Sequence, residues 1–170
     1  KEFHLHTKSG LVKPALLDDG RVCVNMGEPR NFLGSIKLTA DSYDFTAETV
    51  SMGNPHAVIF VDDIEKIQLE KWGSILEVDK QFPDRCNIEF AQVVAPTQIR
   101  MRVWERGCGV TMACGTGSCA TLVAAQRTGR VGVEADIVLD GGTLHIKHEE
   151  YGPVLMTGPA QEVFKGEIEL

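Results

Sequence analysis

Apolar and polar residues alternate along Ile99-Arg-Met-Arg-Val-Trp104, whereas Ala120-Thr-Leu-Val-Ala-Ala125 is small or apolar on nearly every side. The first pattern has the period of a half-buried strand. The second predicts a helix that cannot lie on a surface and must be wrapped by sheet, extending over residues 118–126. Most of the remaining chain follows the two-residue period. Residues 3–7 and 11–17 predict two strands about Ser9-Gly10. Residues 21–26 predict a third after the Asp18-Asp-Gly20 turn, with Val22, Val24 and Met26 on one face. His4 and His6 share one side of the first strand, at a solvated edge. Gly27-Glu-Pro29 ends the third strand, and residues 30–43 follow no single period.

Residues 44–52 predict a strand broken by Gly53-Asn-Pro55, and the unalternating run His56-Ala-Val-Ile-Phe-Val61 a strand buried on both faces. Asp62-Asp63 caps a helix over 64–70, with a second short helix over 72–78. Gln81-Phe-Pro-Asp-Arg85 is a loop. Strands over 87–94 and 98–104 turn about Ala95-Pro96-Thr97. Gly129 offers the buried helix a left-handed stop. Residues 131–139 and 143–148 form a hairpin about Asp140-Gly-Gly142, and strands over 154–157 and 162–170 finish the sheet. Many short strands around one buried helix place the chain in the α+β class.

Composition narrows the function more than the fold. A net charge of −7 and a pI near 5.2 leave no basic stripe to neutralise phosphates, which argues against a nucleic-acid partner. No apolar run reaches membrane-spanning length, and no charged-then-apolar leader opens the chain. Five cysteines are an odd number without scaffold-like density, which points to a reducing, cytoplasmic setting. The first residue is Lys rather than Met, as in a processed, cleaved or truncated product, or one whose start residue is omitted.

The chemistry concentrates in Glu105-Arg-Gly-Cys-Gly-Val-Thr-Met-Ala-Cys-Gly-Thr-Gly-Ser-Cys119, where strand, glycine loop and helix follow one another. The first turn of a helix leaves unpaired N–H groups with partial positive charge, so an anion is expected at Gly115, Thr116 and Gly117. A tight turn needing glycine for its dihedral angles is the alternative. Cys114 is expected on the lip of that turn, its sulfur exposed by the glycines and its thiolate favoured by the helix field. Cys119, inside the helix, reads as packing, and Cys23 and Cys86 as structural. Cys108, Cys114 and Cys119 are spaced C-x5-C-x4-C with no interleaved His, which does not match a zinc site. No metal is expected.

Ala113-Cys-Gly-Thr-Gly-Ser-Cys-Ala120 after Trp104-Glu-Arg-Gly107, with Met52-Gly-Asn-Pro-His56 and Phe82-Pro-Asp-Arg-Cys-Asn87, resembles the diaminopimelate epimerases. Three motifs in the right order are specific where one alone is weak. The resemblance runs from Lys1 to Leu170 and covers the C-terminal part of the family's chain. It implies two pseudo-symmetric domains, each a closed sheet around a central helix. Residues 15–160 would be the C-terminal domain, with 1–14 and the closing strand 161–170 completing the other. It implies a cofactor-independent, two-base epimerase in lysine and peptidoglycan precursor biosynthesis. The substrate would be the small molecule LL- or meso-2,6-diaminopimelate, and the full-length protein a homodimer.

By the same resemblance, Cys114 is one of two catalytic cysteines. The other lies in a Cys-Gly-Asn-Gly motif that these 170 residues lack, so the isolated chain is expected to be inactive. Gly115, Thr116 and Gly117 would hold the α-carboxylate. Glu105 and Arg106 would hold the distal ammonium and carboxylate, though unaided an exposed Glu-Arg pair reads as a surface ion pair. Asn54 and Asn87 match substrate contacts, although by themselves they read as a turn residue and a loop-bonding residue. His56 with Glu105 would tune the cysteine pKa values; a lone His at a strand end reads as a satisfied structural group. Phe164 matches a dimer-contact position, while an aromatic on a terminal strand reads as core. Cys108 and Val110 depart from the family's pattern. A proline-racemase-like or phenazine-type isomerase, and a non-catalytic fragment, are the competing readings.

Overall fold

The computed structural model describes residues 3–7 and 10–169. Fifteen strands and helices are distributed over them. Strands β1 (Leu5–Thr7) and β2 (Gly10–Val12) pair antiparallel as a small separate sheet; residues 8 and 9 of the expected turn lie outside the described residues. The remaining strands are β3 (Ala15–Leu16), β4 (Val22–Asn25), β5 (Arg30–Ala40), β6 (Tyr43–Ser51) and β7 (Pro55–Phe60), then helix α1 (Leu69–Leu76). After it come β8 (Asn87–Ala95), β9 (Gln98–Glu105) and β10 (Gly109–Thr111), then helix α2 (Gly115–Arg127) and β11 (Glu134–Leu139), β12 (Gly142–His148) and β13 (Val154–Gly158). One sheet runs β3-β4-β13-β12-β11-β9-β8-β7-β6-β5, with β10 added against β9. Its pairs are antiparallel except β7 with β8 and β9 with β11.

Period-two alternation sorts this sheet's side chains between two cores. Val58 on β7, Ala91 on β8 and Ile99, Met101 and Val103 on β9 pack on α2, together with Ile137 and Ile146. Ala57 and Ile59, Ile88 and Phe90 point the other way, onto Leu69, Trp72 and Leu76 of α1. Both faces of β7 are covered, so its run is apolar without alternation, as expected. Helix α2 is buried from Gly117 to Ala125 and enclosed by the sheet. It ends in a Schellman turn: Arg130 N–H donates to the Ala125 carbonyl, Gly129 N–H to Gln126, and Gly129 takes φ +68°.

Three expectations are corrected. Residues 30–43 contain the long strand β5, whose outer part is exposed at the sheet edge and therefore shows no apolar period. The two helices expected over 64–70 and 72–78 are instead a 3-10 turn, Ile64–Lys66, capped by Asp63, followed by α1. Residues 159–169 form no strand and are exposed from 159 on, leaving Phe164 83% exposed rather than in the core. Among the described residues no helix is long and apolar enough to cross a membrane.

Candidate active site at the tip of the buried helix

Alternation also decides what meets the start of α2. His56 shares parity with Val58, Asn87 and Glu89 with Ala91, and Glu105 with Val103, so all four side chains emerge on the α2 side of the sheet. Cys114 is the N-cap of α2, in extended conformation, and its sulfur accepts from Gly117 N–H at 3.3 Å. Thr116 Oγ1 lies 3.6 Å from that sulfur and accepts from Asn54 Nδ2 at 3.3 Å. Asn54 Oδ1 is 3.1 Å from His56 Nε2, and His56 Nδ1 is 2.6 Å from Glu89 Oε1. One hydrogen-bonded line therefore joins Cys114, Thr116, Asn54, His56 and Glu89.

The sulfur is not on a lip. Cys114 is 7% exposed, and its thiol is pushed up to about 12. Burial is the largest cause, followed by the Glu89 carboxylate; the Thr116 hydroxyl and Gly117 N–H pull the other way, and Glu105 raises it further. The N–H of the helix's first turn that reaches this sulfur, Gly117, lowers the pKa but is outweighed, so the thiolate expected at this position gives way to a thiol. The glycines do not expose it. A Cβ on Gly117 would meet Glu89 Oε1 at 2.8 Å and Cys114 Sγ at 3.1 Å, and one on Gly115 would meet Met156 Sδ at 3.0 Å. Neither has a positive φ. They make room for a carboxylate and a sulfur rather than exposing the latter.

Asn54 and Thr116 form part of the wall of a cleft of about 970 Å³, with Lys13, Asn25, Met52 and Gly53 opposite or beside them. Arg106 lines a second cleft, of about 400 Å³, with Phe32, Pro55, Phe82 and Arg85. Asn54-Pro55 runs between the two. Arg106 is exposed, with Nη1 donating to the Asp84 carbonyl at 3.3 Å. Glu105 is half-buried and accepts from the Thr111 hydroxyl at 2.6 Å. Asn87 braces two loops: Nδ2 donates to the Pro55 carbonyl and Oδ1 accepts from Arg106 N–H.

Two carboxylates that the sequence did not single out hold this arrangement together. Glu77, just past α1, accepts from Trp104 Nε1 at 2.7 Å and Gly107 N–H at 2.8 Å, with Arg85 Nη1 at 3.5 Å, so it grips the Glu105-Arg106 turn from both sides. Glu89 lies in the strand expected over 87–94, and its partner His56 and its neighbour Gly117 are far away in sequence. Only the parity of position 89 with Asn87 pointed to the site. Cys119 and Cys86 are buried thiols pushed up by burial first, in keeping with structural roles. Cys108 and Val110 are exposed, and no three His, Cys, Asp or Glu gather as a metal site among the described residues.

Residues 48–163 match the family model described as diaminopimelate epimerase. The diaminopimelate epimerase of Rhodospirillum centenum is 51% identical over 98% of this chain and 61% of its own length. That of Bacteroides thetaiotaomicron is 50% identical over 99% of the chain and 64% of its own. The chain thus spans somewhat under two thirds of these relatives. Among solved structures, a hydroxyproline epimerase from Agrobacterium vitis superposes with a TM-score of 0.71 at 18% identity, covering 94% of this chain and 57% of that one. A phenazine biosynthesis protein from Bacillus anthracis superposes with a TM-score of 0.58 at 15% identity, covering 93% and 65%. At these identities the likeness is one of fold.

Proposed function

Because the chain belongs to the diaminopimelate epimerase family, we propose that it supplies one of the two acid–base groups of a cofactor-independent epimerase acting on LL- and meso-diaminopimelate. The observation that carries the reading is the hydrogen-bonded line from Cys114 to Glu89, ending at a sulfur beside the N-terminus of α2. Inverting an α-carbon needs a base on one face and an acid on the other, each able to exchange roles. With its thiol held protonated, Cys114 enters as the acid. In the reverse direction the Thr116 hydroxyl and Gly117 N–H support its thiolate. Gly117 N–H is engaged by the sulfur, so the N–H groups of Gly115 and Thr116 remain for the α-carboxylate, where they stabilise charge spreading from the carbanion.

The two clefts suit a substrate charged at both ends. Glu105 takes the distal ammonium and Arg106 the distal carboxylate, with two parallel hydrogen bonds from the guanidinium. Asn54 faces the first cleft and Asn87 braces the Arg106 turn, and both stand as substrate contacts. A base for the opposite face is absent from these 170 residues, which contain no Cys-Gly-Asn-Gly. The chain alone is therefore expected to be inactive, and residues 1–14 and 161–170 to complete the domain that carries the second cysteine. Five free thiols fit a reducing, cytoplasmic setting, and the exposed Phe164 fits a homodimer contact in the full-length enzyme.

The test is incubation in D2O with diaminopimelate or proline, for the chain alone and for the chain joined to a segment bearing Cys-Gly-Asn-Gly. Deuterium at the α-carbon of diaminopimelate only, and only after joining, is the expected result. Exchange into proline, or turnover by the isolated chain, would overturn the reading.

A further inference from the structure

Glu89 stands at the far end of the hydrogen-bonded line that begins at Cys114. It is fully buried, with Oε1 2.6 Å from His56 Nδ1. Among the described residues its Oε2 has no hydrogen-bond partner. A buried charge stripped of water is costly unless paired, and an apolar side chain would fill a strand core without that cost. Packing therefore does not account for a carboxylate at position 89. Its surroundings do. A Cβ on Gly117 would come within 2.8 Å of Oε1, so the carboxylate reaches from β8 across to the first turn of α2, on the side of the cysteine loop.

We propose that Glu89 is a positioning residue: its carboxylate holds the His56 ring by Nδ1 and turns the Nε2 edge onto Asn54, fixing Thr116 against Cys114. The nitrogen of an imidazole that faces a carboxylate carries a proton; because Asn54 Oδ1 can only accept, Nε2 must donate as well, so the ring bridges two acceptors. The other nitrogen meets Asn54, whose amide joins it to the Thr116 hydroxyl. Released from Glu89, the ring is free to turn about its Cβ–Cγ bond, and neither Asn54 nor Thr116 keeps its place. The same carboxylate also bears directly on the thiol, since its charge opposes a second negative charge on Cys114. Grip and charge are thus two separable actions of one side chain. The inference rests on the reading of Cys114 as the acid–base group, although its first readout does not.

Two variants of the 170-residue chain separate the two actions. Glu89→Asp keeps the charge but is shorter by one methylene and loses the bond to His56; Glu89→Gln keeps the length and loses the charge. The ring nitrogens of His56 are followed by 15N-correlated NMR, and Cys114 by its iodoacetamide labelling rate, read by peptide mass spectrometry to separate it from Cys108. In the unmodified chain Nδ1 is expected to carry a proton. Glu89→Asp should abolish that signature and lower the labelling rate, because a displaced Thr116 hydroxyl no longer supports the thiolate. Glu89→Gln should raise the rate about tenfold, the equivalent of one pKa unit. Circular dichroism that matches the unmodified chain shows that each variant is folded.

An unchanged ring signature in folded Glu89→Asp would overturn the grip, and an unchanged rate in folded Glu89→Gln would overturn the charge. If either variant fails to fold, the unmodified chain still decides the grip, since a bare Nδ1 facing Glu89 contradicts it. In the joined, full-length enzyme, Glu89→Asp should lower kcat at unchanged KM. If the full-length enzyme does not act on diaminopimelate at all, the function reading fails while the ring signature still decides the role of Glu89.

Discussion

Glu77 and Glu89 are both carboxylates sunk into this fold, and they are treated in opposite ways. Glu77 is surrounded by donors: an indole N–H, a backbone N–H and a guanidinium. Burial alone would raise its pKa, yet those donors together hold it below its ordinary value. Glu89 has one imidazole and, among the described residues, one oxygen without a partner. A carboxylate with both oxygens answered is a strut, and here it clamps the turn that presents Glu105 and Arg106. A half-answered carboxylate retains the ability to act on its neighbours, and it stands behind the sulfur. The fold spends polar groups on rigidity at one end of the site and on tunable chemistry at the other.

The sharpest way to break this division is at the sulfur itself. Cys114→Ala in the joined enzyme should reduce epimerisation by at least about 1,000-fold, the scale of losing an essential acid–base group, while melting as the unmodified protein does. Loss of folding instead would make Cys114 a packing residue. Next in size is the strut. Glu77→Ala strands the Trp104 indole and the Gly107 N–H, and should cost about 2–4 kcal/mol of unfolding free energy in urea titrations. Glu77 also carries a pH signature. Its folded pKa lies below the ordinary 4.5, so its stabilisation is complete above that value and is lost as the pH falls through the folded pKa. Glu77→Gln should therefore flatten the acid limb of a stability–pH curve, with no counterpart at alkaline pH.

Smaller effects test the turn that Glu77 supports. Arg106→Lys keeps the charge but loses the planar fork, and should raise KM for diaminopimelate about tenfold with kcat nearly unchanged. An effect on kcat alone would mean that Arg106 works on the reacting end. Smallest is Phe164→Ala, expected within about 0.5 kcal/mol in stability for an exposed side chain. Light scattering of the full-length variant then reports whether that ring holds two copies together.

Much of this fold is legible in the chain because its signals are local. The unalternating run 56–61, the small-residue helix and the glycine after it each declare their burial or their end within a few residues. Strand β5 does not, because an edge strand exposed on its outer part gains nothing from apolar alternation. The helix boundaries between 64 and 78 were misplaced for a related reason: Asp63 is a real cap, but it starts only a 3-10 turn, and α1 begins without a side-chain cap at Gln68. At the site, the cysteine motif was visible and its electrostatics were not. A helix N-terminus lowers a thiol pKa when water remains, whereas here burial and a carboxylate 25 residues upstream in sequence win. No pattern around position 89 or 77 announces either glutamate, since their partners are brought in by sheet register.

The central claim is that Cys114 handles one face of the α-carbon and a second base the other. The most direct test is the early-time isotope distribution when the joined enzyme epimerises LL-diaminopimelate in D2O. Two monoprotic bases predict deuterium in the meso product while recovered LL substrate retains its hydrogen. Deuterium entering substrate and product at equal rates would contradict that arrangement, and so would the same distribution at an undiminished rate in Cys114→Ala.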